Sequence, residues 1–112
     1  MNANDSLREH TCTDNYYRFG PILLITDGIK ALCEKFECFW LMDVIASYQP
    51  TLMAEEFQVW TLEKIGENAA IIKCTDGNDK VLKSQMIEYT DFRADKATIW
   101  VEGNTALLPS EH

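Results

Sequence analysis

The longest regular pattern of apolar and polar residues covers residues 26–49. In its first half, apolar side chains recur three and four residues apart while charged side chains lie on the opposite side, which is typical of an amphipathic helix. Thr26 and Asp27 can cap the start of this helix, because their side-chain oxygens accept hydrogen bonds from free first-turn amides. Gln49 and Pro50 end it, since the residue before a proline avoids helical backbone.

The second half of this pattern differs from the first. Residues 39–48 are apolar on almost every side, which predicts that they lie between layers of the protein and not on its surface. A break near Glu37 and Cys38 would separate the two halves. The pattern therefore predicts either one bent helix or a pair of helices.

Strand patterns follow the helical region. Segments rich in aromatic and branched residues alternate with turn residues such as Gly66 and Gly77. The predicted strands cover residues 57–65, 69–75, 81–89 and 97–102, with a short fifth over 105–108. Because strands joined by tight turns pair with their neighbours in opposite directions, these segments predict an antiparallel meander of four to five strands.

The start of the chain has weaker signals. Residues 1–13 are polar and without periodicity, so we expect a flexible amino-terminal segment followed by a single domain over residues 14–112. Thr13 or Asp14 could cap a short helical turn through residues 16–18. Residues 22–25 are apolar but too few to separate a helix from a strand. The predicted fold class is α+β, with a bent helix or helix pair packed on the meander.

Composition and charge exclude several functions. The chain is 46% hydrophobic over 112 residues, which indicates a globular domain. Its net charge of −8 argues against direct nucleic-acid binding, because contact with phosphates needs clustered cations. The acidic residues are spread evenly, which favours a role in solubility over a surface that docks on a basic partner.

The sequence also predicts where the protein acts. No apolar run approaches the roughly 18 residues that span a bilayer, so we expect no membrane association. Residues 1–10 lack the basic and apolar regions of a secretory signal, and we therefore expect a cytoplasmic location. In that compartment Cys12, Cys33, Cys38 and Cys74 should be free thiols.

Several sequence segments together resemble a known family. They are NYYR at residues 15–18, the helical segment 26–49, EYTDF at 88–92, and IWVEG and LLPSE near the carboxyl end. Their combination resembles a family of small acidic bacterial proteins, found also on plasmids and phages, that is classed as a domain of unknown function. The resemblance implies no activity. Its association with mobile elements implies an accessory or interaction role.

Asp43 is the first candidate site residue. It lies three residues after Trp40 and seven after Phe36, and so falls on or beside the apolar stripe. A buried carboxylate must be paired or have a raised pKa. The structural interpretation is a hydrogen bond from a backbone amide, a tyrosine or Arg18. The functional interpretation is a polar centre in a pocket between helix and sheet.

A second group of candidates combines aromatic rings with a cation. Tyr16, Tyr17 and Arg18 have the composition favoured in protein interfaces, although packing against the long helix is the simpler interpretation. Trp60 is predicted to belong to the core unless its ring is exposed. Both faces of its strand carry large apolar groups, which indicates that the outer sheet face is covered, for example by a second subunit in a homodimer.

Metal, cofactor and catalytic sites have little support. His10 and the cysteines lack the paired spacing of structural zinc sites, and residues 33 and 38 would direct their thiols to different faces of a continuous helix. Cys38, at the predicted helix junction, would be the most reactive thiol. No glycine-rich phosphate loop or nucleophile motif is present. We therefore predict no cofactor, no metal and no catalytic residue.

The sequence favours a small cytosolic, non-catalytic protein-interaction module, and the resemblance implies a phage or plasmid accessory protein. Its binding residues would be those around Tyr16 and Arg18, together with the acidic surface. The alternative is a small-molecule-binding protein or an unrecognised enzyme with Asp43 at the foot of a pocket. Neither hypothesis names the partner or ligand.

Overall fold

The computed structural model describes residues 2–88, 90, 92 and 94–112. In this part of the chain, two α-helices pack on a seven-stranded mixed sheet. The helices are α1 (Asp27–Phe36) and α2 (Phe39–Tyr48). The strands are β1 (Tyr16–Phe19), β2 (Leu23–Thr26), β3 (Phe57–Lys64), β4 (Ala70–Thr75), β5 (Val81–Ile87), β6 (Lys96–Glu102) and β7 (Thr105–Leu107). Short 3-10 helices cover Ala3–Leu7, Gln49–Thr51 and Pro109–Glu111.

The predicted helix pair is confirmed, including its start and its break. The side chain of Thr26 accepts a hydrogen bond from the amide of Ile29 at 3.3 Å and so caps α1. Glu37 has the left-handed backbone conformation (φ 52°) that commonly ends helices. The amide of Cys38 then donates to the carbonyl oxygen of Cys33 at 3.0 Å, and α2 begins at Phe39.

The sheet has more strands than predicted and a different order. Its order is β1-β2-β7-β6-β3-β4-β5, and β2 and β7 pair in parallel. The predicted meander holds only for β3, β4 and β5. After β5 the chain crosses the end of the β3-β4 hairpin, where Thr90 donates to Asn68 and Lys64 donates to Asp95. Strand β6 therefore pairs with β3 and not with β5.

The two additional strands come from the segment before α1. Residues 16–18, predicted as a helical turn, belong to β1, and residues 22–25 lie largely within β2. Gly20, with φ of 74°, lies in the turn between them. Four-residue strands contain too few positions to show a period, which explains why the turn prediction was wrong.

The amino-terminal segment packs on the domain. Ala3 and Leu7, in the first 3-10 helix, are buried together with the core residues of the helices. The side-chain amide of Asn4 donates to the carbonyl oxygen of Thr98 at 2.8 Å, and its side-chain oxygen accepts from the amide of Thr98 at 2.7 Å. These two bonds extend the edge of β6 in place of a strand. Ala3, Asn4 and Leu7, within the segment predicted to be flexible, thus contact the core and the sheet.

Candidate functional site

The α-helices cover one face of the sheet, and no α-helix of the described residues covers the other, where Glu111 and His112 contact Thr26 and Trp100. On the covered face, Leu23, Trp60, Ile72, Ile99 and Ala106 are each no more than 2% exposed. We call the opposite side of the sheet the open face. In the order of the strands, it carries Tyr16, Arg18, Leu24, Thr26, Thr105, Leu107, Lys96, Thr98, Trp100, Glu102, Phe57, Val59, Thr61, Glu63, Ile71, Lys73, Ser84 and Met86.

Strand register arranges these side chains in rows across the sheet. The first row runs from Arg18 to Leu24, then to Thr105, Glu102 and Phe57, each paired with the next. Neighbouring strands are about 4.8 Å apart, so adjacent side chains in the row are in contact range. The row begins with a cation and has a carboxylate three strands away.

The second row is mostly apolar. Tyr16 pairs with Thr26, while Leu107 pairs with Trp100 and Trp100 with Val59. The β2-β7 register places Thr26 next to Leu107, one position beyond the last paired residues. Tyr16 is 60% exposed at the sheet edge, and the aliphatic and indole side chains at the centre are half-buried. The open face thus has an apolar strip over Leu107, Trp100 and Val59, which the buried Thr26 separates from Tyr16 at the sheet edge.

A cleft of about 480 Å³ lies where these rows cross β1, β2 and β7. Its lining consists of Thr13, Tyr16, Leu24, Thr26, Glu102, Gly103, Thr105, Leu107 and Glu111. Leu24 and Leu107 supply its apolar lining, the threonines add methyl and hydroxyl groups, and Glu102 and Glu111 add carboxylates. Such a surface can accept an apolar group that carries a cationic or hydroxyl end.

Glu102 separates this cleft from a second depression. The second depression, of about 570 Å³, is lined by Glu56, Phe57, Glu102, Gly103 and His112. The Nε2 atom of His112 lies 2.9 Å from a carboxylate oxygen of Glu102, and the His112 ring meets the Trp100 ring edge-on, with 5.2 Å between the ring centroids. Glu102 is therefore held in place while about half of its side chain stays exposed.

Glu111 connects the cleft to the start of α1. Its carboxylate accepts hydrogen bonds from the hydroxyl of Thr26 at 2.6 Å, the amide of Gly28 at 3.1 Å and the amide of Leu108 at 2.9 Å. A Cβ atom at Gly28 would collide with this carboxylate, which gives the glycine a steric role. The negative charge also lies at the positive end of the helix dipole.

Asp27 forms a second anchor at the same helix end. Its carboxylate accepts hydrogen bonds from the amides of Asp14 and Asn15 and from the hydroxyl of Tyr17. The bond from the Asp14 amide, followed by that from Tyr17, holds the pKa of Asp27 below its usual range. The hydrogen bond between Tyr17 and Asp27 also raises the pKa of the Tyr17 hydroxyl. These contacts tie β1 to α1 and so position the cleft wall.

Replacement of Asp27 by asparagine should change how stability depends on pH. The lowered pKa means that the carboxylate stabilises the fold above its unfolded pKa of about 4, and that this contribution is lost as pH falls through the lower folded pKa. We expect Asp27→Asn to be less stable than the wild type near pH 7 and to approach it in acid. Urea unfolding across this pH range measures the difference.

Asp43→Asn is the matched control, because Asp43 is an exposed carboxylate on α2. This substitution should change the free energy of unfolding by less than about 0.5 kcal/mol. A constant gap between Asp27→Asn and wild type at every pH would contradict the role given to the Asp27 charge.

The structure brings two of the predicted site residues together on the open face and separates the others. Tyr16 and Arg18 lie on β1, with Tyr16 lining the cleft and Arg18 beside Leu24. Tyr17 points to the helix side, where the ammonium group of Lys30 lies 4.5 Å from the centroid of its ring. It is therefore a packing residue between β1 and α1.

Asp43 and Trp60 are placed differently from their proposed binding roles. Asp43 is exposed, and neither depression has it in its lining. The break after Phe36 changes the helical phase, so the stripe of α1 does not continue to Asp43. Trp60 is 2% exposed and donates a hydrogen bond to Gln58 at 2.8 Å, which leaves no ring surface for a partner.

The helix break also overturns the predictions for two cysteines. Cys33 and Cys38 are both fully buried, and a hydrogen bond between their thiols, together with burial, raises the pKa of Cys33. Their thiols therefore lie together, whereas a continuous helix would separate them. The exposed cysteine is Cys12. Over the described residues, no three histidine, cysteine or acidic side chains are grouped to hold a metal ion.

Sequence reasoning missed Leu24, Glu102, Leu107 and Glu111 as cleft residues. They come from β2, the end of β6, β7 and the final 3-10 helix, which the sequence gives no means of bringing together. The only available signal was the alternation in residues 23–26, where every second side chain of a strand faces one side.

Comparison with known proteins gives a family and no activity. A family model described as a family of unknown function (DUF6876) matches residues 1–112. No curated protein and no solved structure matches the chain. Within the described residues, no helix is both long and apolar enough to cross a membrane.

Proposed function

Because this chain belongs to the family of unknown function DUF6876, we propose a function from its own structure: a non-catalytic protein-interaction module that binds its partner on the open face. The observation that carries this proposal is a sheet with α-helices on one side only. On the other side, Tyr16 and Leu24 are exposed, and Leu107, Trp100 and Val59 are half-buried. A contiguous apolar patch with a polar rim is typical of protein interfaces.

The edge of the open face supports the same proposal. Tyr16 is 60% exposed and Leu24 is 38% exposed, although both are large side chains whose burial would be favourable. Arg18 stands beside them. Aromatic and arginine side chains next to an aliphatic floor are the residue types that contribute most at protein interfaces.

We further propose that the protein acts in the cytoplasm, as an accessory protein of a phage or plasmid. The resemblance to a family found on mobile elements supports this setting. The net charge of −8 supports a protein partner over a nucleic acid, because it opposes the approach of phosphates. The partner surface should therefore be apolar at its centre and of mixed charge at its rim.

A small-molecule-binding function is the second candidate. It is favoured by the volume of the cleft, about 480 Å³, which is within the range of small-ligand sites. Its site would be this cleft and not the neighbourhood of Asp43. A ligand that binds there should raise the melting temperature, and Thr105→Trp, which fills the cleft, should abolish that shift.

Photo-crosslinking from inside the cleft tests the interaction proposal. We place benzoylphenylalanine at Tyr16 in one variant and at Met53 in a control variant, since Met53 is 66% exposed outside the open face. After irradiation in the native host, we expect a specific adduct from position 16 and none from position 53. Equal adducts from both positions, or none from position 16, would contradict the proposal.

A further inference from the structure

We propose that the partner on the open face is a second copy of this chain, related by a twofold axis that runs parallel to the strands over the β2-β7 junction. This inference rests on the proposed function and names its partner. Strands β1, β2, β7 and β6 are consecutive in the sheet, so the junction lies at the middle of these four strands. A half-turn about it exchanges β1 with the partner's β6, and β2 with the partner's β7.

The first row of the open face is self-complementary about this axis. Arg18 and Glu102 stand at opposite ends of four paired positions, roughly 14 Å apart at three strand spacings. The half-turn places Arg18 over the partner's Glu102, and symmetry repeats the pair. Between them, Leu24 lies over the partner's Thr105. Each copy therefore supplies one cation and one carboxylate to two equivalent ion pairs.

The second row is complementary in the same way. Tyr16 and Trp100 occupy its ends, with Thr26 and Leu107 between them. The half-turn places Tyr16 next to the partner's Trp100, and symmetry repeats this aromatic pair. Thr26 is 2% exposed and bonded to Glu111, so at the centre of this row Leu107 and not Thr26 faces the partner. The same axis thus pairs the ends of both rows.

Charge explains why two acidic copies would meet on this face. The whole chain has a net charge of −8, so two copies repel each other over most of their surfaces. Within the four overlapping strands, the open face carries two cations (Arg18 and Lys96) against one carboxylate (Glu102), and Glu111 adds a second carboxylate in the cleft. It therefore has no excess of negative charge, and it presents both signs at matching positions.

The size of the contact sets the expected affinity. The overlap covers only four strands and is about 19 Å wide. The surface area that it buries is therefore at the small end of the range for specific interfaces. We therefore expect a reversible dimer with a dissociation constant in the micromolar range, and one that weakens as salt increases because the ion pairs are at the rim.

Charge exchange between copies tests the register. Arg18→Glu and Glu102→Arg each place like charges opposite one another in a homodimer. In a mixture of the two variants, every pair is again one cation and one carboxylate. Sedimentation velocity from about 1 to 500 µM protein at low salt should show a wild-type dimer, each single variant dimerising roughly tenfold or more weakly, and recovery in the equimolar mixture.

Lys73→Glu and Glu63→Arg are the matched controls, since both residues are on the open face but outside the four overlapping strands. They should dimerise as the wild type does, and unchanged thermal unfolding of all four variants shows that the fold is kept. A wild-type protein that stays monomeric over the whole concentration range overturns the inference of a homodimer. In that case, a crosslinked adduct from position 16 to a different protein would still support the proposed function. Weakened single variants without recovery on mixing overturn the proposed register.

Discussion

Replacing Gln58 by leucine is expected to lower the free energy of unfolding by about 3 kcal/mol. Gln58 is 2% exposed on β3, and its side-chain oxygen accepts hydrogen bonds from Gln49 at 3.0 Å and from the indole of Trp60 at 2.8 Å. Its amide group donates back to Gln49 at 3.1 Å. Leucine would leave the indole donor and the Gln49 acceptor buried without partners. Urea unfolding with an unchanged m-value measures the loss.

Two further variants separate this network from a general effect of the substitution. Gln85, on β5, accepts a hydrogen bond from the Tyr48 hydroxyl, and Gln85→Leu removes that acceptor. Because this contact is half-buried, water can replace the glutamine, and the free energy of unfolding should fall by less than about 1 kcal/mol. In the double variant Gln49→Leu with Gln58→Leu, the free energy of unfolding should fall by less than the sum of the two single-variant losses, because both hydrogen-bond partners are removed together. Additive losses would contradict a shared network.

The network also shows what sequence reasoning could reach. The helix pair, its cap and its break were predictable because ten-residue helices display nearly three turns of their period. The burial of Trp60 followed from its residue type and strand position. The glutamines could not be predicted as buried, since each is polar and nothing local shows that Gln49 and Gln58 bond to each other across the helix-sheet contact.

Sheet order was the limit of prediction for the fold. The pattern identified β3 to β7 because their length and turn residues are local signals. The pairing of β6 with β3 connects residues that are about forty positions apart, and the parallel contact of β2 with β7 connects residues about eighty positions apart. Alternation specifies which side of a strand is buried but not which strand lies beside it.

The candidate site was partly predictable for the same reason. Tyr16 and Arg18 stood out by residue type and lie on the open face. Tyr17 was predicted with them because a helical turn would keep the three side chains close together. In the strand that forms instead, successive residues face opposite sides, so Tyr17 points away from the open face. Asp43 was misplaced because a single helical phase was carried across the break at Glu37. The rest of the cleft is formed by long-range pairing.

Replacing Glu111 by alanine is the second large effect that we expect, a loss of about 2 kcal/mol. Three hydrogen bonds end on this carboxylate, from Thr26, Gly28 and Leu108, and two of them come from the start of α1, more than eighty residues away in the chain. Glu111→Gln keeps an acceptor but removes the charge, so its loss should be about half as large. Unfolding in urea gives both values.

A local measurement distinguishes this contact from a diffuse effect on stability. In Glu111→Ala the amide of Gly28 loses its acceptor, while the amide of Ile29 keeps the Thr26 hydroxyl. Hydrogen exchange should therefore accelerate at Gly28 more than at Ile29. Glu34→Ala, at an exposed position within α1, is the control and should change stability by less than about 0.5 kcal/mol. Equal acceleration of exchange at both amides would mean that the whole start of α1 opens. The effect of Glu111 would then be on the stability of the fold as a whole and not on the single contact with Gly28.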